Sequence, residues 1–332
     1  LSGHWLAASD TAKFLDPVTK LVGDSEFWQH TEEGLGLFLC ADQLRTWRVA
    51  TSLKENVFVS DRFFVLPLIS SVGNQQPFYV LSLSRNETGF YEAAGQRIQR
   101  MEVPGMPQGI KDALDTASVD RGSQVHAANP QKAGKQGAVF HGQGGKPETS
   151  KRDLEHYYRQ VNQAVIDFAG KDGRPMVLAC VADQAPLYRD VNTYAGLIDE
   201  IAVGSADRLP EKELLSRASA CVAAHRQQKL EAAIDTYRSQ AHTTRSAAEL
   251  SDVVKAAHNG QVDRLFVRQS ALVPGEYSAE ALAIDYQAST EDFDKDLVET
   301  TIAQTLQQRG QVYALSDDQM PEDAAMVATL RY

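Results

Sequence analysis

The hydrophobic positions of this chain alternate between the two-residue period of strands and the longer period of helices. Near the N-terminus the pattern predicts one helix, "FLDPVTKLV", and three strands of a small sheet, "GLGLFLC", "RTWRVA" and "NVFVS". The polar, turn-rich stretch "SVGNQQP" (71–77) follows, and we place the first domain boundary there. Residues 1–76 are therefore predicted to form a small mixed α+β domain.

A second segment opens with three strands in close succession, "FYVLSLS" (78–84), "GFYEA" (89–93) and "RIQRMEV" (97–103). Their short connections favour an antiparallel meander. A long irregular region at about 104–148 comes next, and a loop of that size within a compact domain is usually functional or disordered.

The long loop ends in a predicted helix, "TSKRDLEHYYRQVNQAVIDFAG", and Ser150 with Asp153 resembles a capping box at its start. Its apolar side chains recur at steps of three and four and so share one face; they are Leu154, Tyr157, Val161, Val165 and Phe168. A buried strand, "RPMVLACVA", and a helix, "QAPLYRDVNTY", come next. This order predicts an α/β domain over 77–207.

From about Asp207 a third domain, 208–332, is predicted. Its helices are one long helix or a pair at "RLPEKELLSRASACVAAHRQQKLEAAIDTYRSQ", then "AAELSDVVKAAHNG" closed by Gly260 and "DKDLVETTIAQTLQQRG" closed by Gly310. Its strands are "VDRLFV", "ALAIDY", "QVYAL" and "AAMVATLRY". Strands that alternate with helices in this way are typical of a three-layer α/β/α domain.

Composition excludes several classes of protein. The formal net charge of -11 argues against a general nucleic-acid coat, which would need a basic surface, and no DNA partner is expected. No apolar run approaches the roughly 20 residues of a membrane helix, and no signal peptide is visible, so we expect a cytoplasmic protein. Cys40, Cys180 and Cys221 lack disulfide or zinc spacing and are expected to be buried apolar fillers.

One part of the long loop is basic within this acidic chain. Between Arg121 and Lys146 there is no Asp or Glu. The stretch ends in "FHGQGGK" (140–146), and glycines let a backbone approach another molecule closely. The helix N-terminus that follows attracts anions through its free N–H groups and its dipole. Composition alone leaves open the alternative of a solvated, flexible insertion.

The glycine-rich stretch does not fit the common loop motifs. A P-loop would need glycine at 140 and Ser or Thr at 147, where this chain has Phe140 and Pro147. His126 and His141 lack a third ligand at metal spacing, so we expect neither a metal nor a cofactor. No Ser, His and Asp grouping is readable as a catalytic triad.

"HGQGGK" and the helix "RDLEHYYRQV" resemble the HGRGGQ loop and following helix of class I release factors from archaea and eukaryotes. "MVLACVADQAPLY", "LSDVVKAAHNGQVDRLFV" and "ATLRY" are similar to later parts of those proteins, in the same order, over about 77–332. With "DSEFWQHTEEGLGLFL" the chain is most similar to the bacterial branch of this release factor and Pelota superfamily. The resemblance implies an RNase H-like middle domain and an L7Ae-like C-terminal domain.

Two features depart from the family pattern. Residues 1–76 do not resemble the codon-reading domain, so the resemblance implies a codon-independent factor. The glutamine of the family's GGQ tripeptide is Lys146 here, after Gly144 and Gly145. In the family this tripeptide promotes hydrolysis of peptidyl-tRNA, largely through the backbone N–H at its third position. Lysine keeps that N–H but brings a cation, which weakens the expectation of hydrolysis and favours docking on RNA.

The resemblance therefore implies a ribosome-associated factor in rescue, hibernation or peptidyl-tRNA release, with the ribosome and tRNA as partners. The catalytic tip would be Gly144, Gly145 and Lys146, and the RNA contacts would be His141, Gly142, Gln143, Lys132, Lys135, Lys151 and Arg152. One alternative is a non-catalytic binding protein on the same scaffold, without ribosome contact. Another is a nuclease, but the strands "FYVLSLS" and "MVLACVA" lack the central carboxylates that two metals would need.

The third predicted domain carries an acidic cluster at the start of a helix: Glu291, Asp292, Asp294, Asp296 and Glu299. Carboxylates repel a phosphate backbone, so we predict a protein partner here rather than a kink-turn RNA. A solvated helix start is the alternative, because acidic residues suit a helix N-terminus.

Overall fold

The structure is a computed structural model, and it describes residues 8–41, 43–49, 52–60, 62–115, 151–204, 209–281, 283–286 and 295–332. The chain divides into two compact units. The middle unit is Pro77–Gln227, and the split unit combines Leu1–Gln76 with Gln228–Tyr332. Both contain helices and sheets, which confirms the predicted α/β class. The division into domains 1–76, 77–207 and 208–332 stays a prediction.

The elements are numbered in chain order. The helices are α1 (Ala8–Val22), α2 (Ser25–Gln29), α3 (Leu66–Gln75), α4 (residues 110–115), α5 (Lys151–Ala169), α6 (Ala185–Arg189), α7 (Glu211–Gln240), α8 (Leu250–His258) and α9 (Leu297–Gln307). The strands are β1 (Gly34–Cys40), β2 (Gln43–Val49), β3 (Phe78–Leu83), β4 (Thr88–Ala94), β5 (Arg97–Met101), β6 (Met176–Cys180), β7 (Leu197–Val203), β8 (Ser246–Ala247), β9 (Val262–Arg268), β10 (Gly275–Ser278), β11 (Ala283–Tyr286), β12 (Gln311–Leu315) and β13 (Met326–Leu330).

The middle unit is built on a five-stranded mixed sheet in the order β5-β4-β3-β6-β7. β3, β4 and β5 form the predicted antiparallel meander, and β6 and β7 continue the sheet in parallel with β3. One face is covered by α5 through Leu154, Tyr157 and Val161, and the other by the first half of α7. Two predictions for this unit are wrong. Strand β7 was not predicted, and α6 ends at Arg189 instead of extending to Tyr194.

The split unit contains a four-stranded sheet in the order β12-β9-β13-β8. α8 and α9 pack on one face, and the second half of α7 packs on the other, so the predicted α/β/α layering is confirmed. Gly260 ends α8 with a positive φ of 70°, as its position predicts. After α9 the positive φ lies at Arg309 rather than at Gly310. Likeness of this part to L7Ae stays a prediction.

The N-terminal part of the split unit differs most from the prediction. β1 and β2 pair as the predicted hairpin, but residues 56–60 form no strand, and 71–75 belong to α3 instead of a turn. α3 is helical because Leu66 and Leu68 are buried, and such tertiary contacts outweigh the polar composition of its second half. Cys180 is buried as expected, whereas Cys40 at the hairpin end is exposed.

Candidate functional site

Helix α5 begins at the carboxyl edge of the middle sheet. It lies directly before β6 in the long crossover from β3 to its parallel neighbour β6, and it runs opposite to both strands. The loop after α5 lies at the other edge, because the Tyr79 hydroxyl donates to Asp172 at 2.5 Å and the Tyr79 N–H donates to the Pro175 carbonyl at 2.8 Å. Ligands of open α/β sheets bind at the carboxyl ends of the strands. The first turn of α5 is therefore placed where this architecture recognises ligands.

The connection from β3 to β4 forms the centre of this edge. The Ser84 hydroxyl accepts the N–H groups of Asn86 at 3.1 Å and Glu87 at 2.9 Å, which closes a tight turn. The Ile110 N–H donates to the Arg85 carbonyl at 3.0 Å, so α4 starts on the same turn. Gly109 is required there, since a Cβ would lie 2.4 Å from the Asn86 carbonyl oxygen.

Tyr157 fixes α5 to that turn. Its hydroxyl donates to the Ser84 carbonyl at 2.9 Å and shares a 2.5 Å hydrogen bond with the Thr88 hydroxyl. The Gln160 amide reaches the Ala113 carbonyl of α4 at 3.4 Å. The elements on both sides of the long loop, α4 and α5, are thus attached to one edge of the sheet.

Lys151 and Arg152 occupy the first turn of α5, and both are exposed. Neither forms a hydrogen bond or an ion pair with another described residue. Cations in the first turn of a helix oppose its dipole and cost about 0.3–1 kcal/mol each. They add to the positive potential of the helix N-terminus, which Asp153 in the same turn offsets in part, so this end of α5 is suited to an anion such as a phosphate.

These two side chains are the predicted RNA contacts that fall within the described part of the chain. The other predicted site residues lie outside the described residues; they are Lys132, Lys135, His141, Gly142, Gln143, Gly144, Gly145 and Lys146. The roles of all ten stay predictions. The turn at Ser84 and its contact with Tyr157 were not predicted, because their hydrogen bonds join residues 69 and 73 positions apart.

An open pocket of about 440 Å³ lies beside the turn, lined by Asn86, Glu87, Arg100 and Gln108. The Arg100 guanidinium donates to the Glu87 carboxylate and to the Thr88 carbonyl, each at 3.0 Å. Its charge is therefore neutralised within the protein. The pocket offers polar contacts but no unpaired charge for chemistry.

The Cys180 thiol and the hydroxyls of Tyr158 and Tyr188 are poor nucleophiles at neutral pH. Burial raises the pKa of the Cys180 thiol to about 11, so the thiol stays protonated at neutral pH. Burial also raises the pKa of Tyr158 and of Tyr188, whose hydroxyls are buried without a hydrogen-bond partner among the described residues. Over the same residues, no three His, Cys, Asp or Glu side chains are grouped to hold a metal ion.

The acidic cluster predicted as a protein contact is only partly within the described structure. Asp296 and Glu299 are 6% and 5% exposed, so a protein contact by these two side chains is wrong, as is the solvated alternative. The Asp296 side chain instead caps α9 by accepting the Val298 N–H at 3.1 Å. Glu291, Asp292 and Asp294 lie outside the described residues.

A protein-family model, bacterial archaeo-eukaryotic release factor family 3, matches residues 77–261, more than half of the chain. The chain belongs to this family. The match includes the whole middle sheet and α5, so the site described above is the family's part of the molecule. No curated protein matches the sequence. Every helix within the described residues is too short or too polar to span a bilayer.

Several solved structures are similar to this member of the family. S. cerevisiae Dom34, a translation termination-like factor, is 10% identical with a TM-score of 0.39, and the match covers 77% of this chain and 63% of Dom34. Archaeoglobus fulgidus Pelota is 12% identical with a TM-score of 0.29, covering 79% and 66%. A ribosome-bound archaeal Pelota with ABCE1 is 11% identical with a TM-score of 0.43, covering 90% and 76%. This chain spans just under two thirds of the first two.

Proposed function

We propose that this protein is a codon-independent, release-factor-like protein that binds the ribosome in rescue, hibernation or peptidyl-tRNA release. Membership of a release factor family is the observation that carries the proposal. The geometry supports it, since the basic, glycine-containing loop joins two elements fixed at the carboxyl edge, and Lys151 and Arg152 stand exposed there. Such a protein would act in the cytoplasm.

In this proposal the loop and the first turn of α5 form one RNA-contacting surface. Gly142, Gly144 and Gly145 allow close approach, and the Lys146 side chain contacts phosphate. The remaining contacts to ribosomal RNA or tRNA come from His141, Gln143, Lys132, Lys135, Lys151 and Arg152. The acidic remainder of the chain limits binding to this surface, because carboxylates repel a phosphate backbone.

In addition to ribosome binding, the protein would promote hydrolysis of peptidyl-tRNA. The backbone N–H of Lys146 would stabilise the oxyanion that forms when water attacks the ester, a contribution of about 10²–10³ in rate for one such donor. The lysine side chain, unlike an amide, would place a positive charge beside that position. Binding and hydrolysis are therefore separable, and each needs its own assay.

Co-sedimentation of the purified protein with ribosomes over a range of salt concentrations tests the binding. Replacing Lys132, Lys135 and Lys146 by Glu should weaken binding and reduce the slope of log K against log salt by about 2–3, because fewer counterions are released. The matched control replaces Lys54, Lys212 and Lys229, which are exposed cations elsewhere, by Glu and should leave the slope nearly unchanged.

The second candidate is a non-catalytic binding protein that uses the release-factor scaffold without ribosome contact. The net charge of -11 favours it, whereas the lysine in place of glutamine supports only its lack of catalysis. If the wild-type protein does not pellet with ribosomes, or if the loop and control variants bind alike, the ribosome proposal fails and this candidate stands.

A further inference from the structure

Two buried carboxyl groups at the start of α9 lie against the N-terminal part of the split unit. The Glu299 side chain accepts the Leu66 N–H at 2.8 Å, across 233 positions of sequence. It also accepts a hydrogen bond from the Val65 backbone. Leu66 is the first residue of α3, and the N–H groups of a first turn have no partner within their own helix. Glu299 therefore holds the start of α3.

The surroundings of this contact are tightly packed. Leu66 is fully buried in the core that α8 and α9 form on the sheet, and Phe58 stacks on Phe64 at 3.8 Å beside it. The remaining cavity is about 10 Å³, and its lining consists of Phe58, Ser60, Arg62, Phe64, Asp296 and Glu299. One water needs about 10–15 Å³, so this space cannot hold a hydrated cation. The carboxyl charges must be balanced in another way.

The electrostatics of the pair disfavour ionisation. Burial is the main cause that raises the pKa of Glu299 to about 7; the charge of Asp296 contributes to this rise, and the hydrogen bonds from Leu66 and Val65 oppose it. Burial also raises the pKa of Asp296, whose Oδ1 accepts the Val273 N–H at 3.0 Å while its Oδ2 has no partner among the described residues.

Few cations face the two acids within the described residues. Arg62 lines the cavity from the N-terminal part, and α3 itself carries no charged side chain. Lys295, the neighbour of Asp296 in sequence, forms an ion pair with Glu276 at 2.6 Å. Among the described residues no Lys or Arg lowers the pKa of Asp296 or Glu299, so a second negative charge at this site would be poorly compensated.

We propose that Asp296 and Glu299 form a proton-sensitive attachment that fastens Val65 and Leu66, at the start of α3, to α9. With Glu299 protonated, its carbonyl oxygen still accepts the Leu66 N–H, and the site carries at most one charge. When Glu299 ionises, two negative charges share a nearly dry site, and the attachment weakens. Acidification of the solution therefore tightens the contact between the N-terminal part and the C-terminal third.

The direction of the pH dependence follows from the raised pKa. Glu299 binds its proton more tightly in the folded protein, so its contribution to stability is complete below its ordinary pKa of 4.5. That contribution is lost as the pH rises through about 7, the pKa in the folded state. Between pH 5 and pH 8 the unfolding equilibrium constant should rise by about a hundredfold from this group alone.

Tryptophan fluorescence during urea unfolding of the full chain measures this effect, because Trp5, Trp28 and Trp47, the three tryptophans, all precede residue 77. Glu299→Gln keeps an oxygen for the Leu66 N–H but cannot ionise, and it should remove the hundredfold change that the wild type shows between pH 5 and pH 8. Asp24→Asn is the matched control. Asp24 is an exposed cap of α2 that accepts the Phe27 N–H at 3.0 Å, so this variant should keep the wild-type pH dependence.

Asp296→Asn provides a second variant if Glu299→Gln does not fold. Removal of the neighbouring charge lowers the pKa of Glu299, so the pH midpoint of destabilisation should move down while the dependence persists. The proposal is overturned if the Gln variant keeps the wild-type pH dependence, if the control loses it as well, or if the midpoint of the Asn variant does not move.

Discussion

Tyr157 and Tyr158 are adjacent, both are fully buried, and their ring centroids lie 5.2 Å apart, but their hydroxyl groups differ in hydrogen bonding. The Tyr157 hydroxyl bonds to Ser84 and Thr88, whereas the Tyr158 hydroxyl is buried without a partner among the described residues. Replacing each by Phe removes one oxygen atom and keeps the ring. The pair therefore separates the contribution of hydrogen bonding from that of packing.

For Tyr157→Phe we expect a loss of about 1–3 kcal/mol, because the buried Ser84 carbonyl loses its donor and the Thr88 hydroxyl loses the oxygen to which it donates. For Tyr158→Phe we expect no loss, or a gain of up to about 1 kcal/mol, because the desolvation of an unbonded hydroxyl is removed. Urea unfolding followed by far-UV circular dichroism gives the free energies. Hydrogen exchange in peptides from β3 and β4 shows whether the change is local to the turn.

The decisive result is whether Tyr157→Phe lowers the free energy of unfolding more than Tyr158→Phe does. If Tyr158→Phe destabilises the protein as much as Tyr157→Phe, the hydroxyl contacts do not hold α5 on the turn, and ring packing explains both losses. Ribosome binding in the same variants tests the link to function, since a displaced α5 would move Lys151 and Arg152.

Three further outcomes are expected. Gly109→Ala should lower the free energy of unfolding in urea by about 1–3 kcal/mol, because the added Cβ overpacks against the Asn86 carbonyl. The control Gly23→Ala should be nearly neutral, because the nearest atom to its Cβ lies at 3.6 Å. Equal urea midpoints for the two variants would contradict the close approach of Gly109 to Asn86. Replacing Gly144 and Gly145 by Val should weaken ribosome co-sedimentation without moving the unfolding midpoint, and unchanged binding would remove the glycines from the contact. Lys146→Gln should raise peptidyl-tRNA release if hydrolysis needs the amide side chain, while an active wild type would show that the backbone N–H suffices.

Local hydrophobic patterns predicted several of the helices and strands correctly. α5, α8 and the β3 to β5 meander were identified because their hydrophobic spacing matches their structure. β7 was missed because Asp199 and Glu200 interrupt its apolar positions. The strand expected at 56–60 is absent because an alternating pattern needs a partner strand, and Val57 is instead 85% exposed.

The candidate site was predictable only where sequence itself carries the signal. The basic, acid-free loop and its glycines are visible in the residues, and the family resemblance assigned Lys151 and Arg152. The long-range hydrogen bonds that hold the site together could not be predicted from the sequence. A tyrosine at helical spacing, such as Tyr157, is interpreted as an apolar core residue, so its hydrogen bonds are not predicted. Nothing in the sequence near Glu299 indicates that its carboxyl group accepts an N–H from a residue 233 positions away.

The division of the split unit between the two ends of the chain has a consequence for synthesis. During synthesis the middle unit is complete once residue 227 has emerged from the ribosome, but the contact of Leu66 with Glu299 cannot form until residue 299 has been made. At about 5–20 residues per second, that wait lasts on the order of 10–50 seconds. During this time the first 76 residues lack the core that buries Leu66, and a nascent-chain chaperone would find its binding segment there rather than in the middle of the protein.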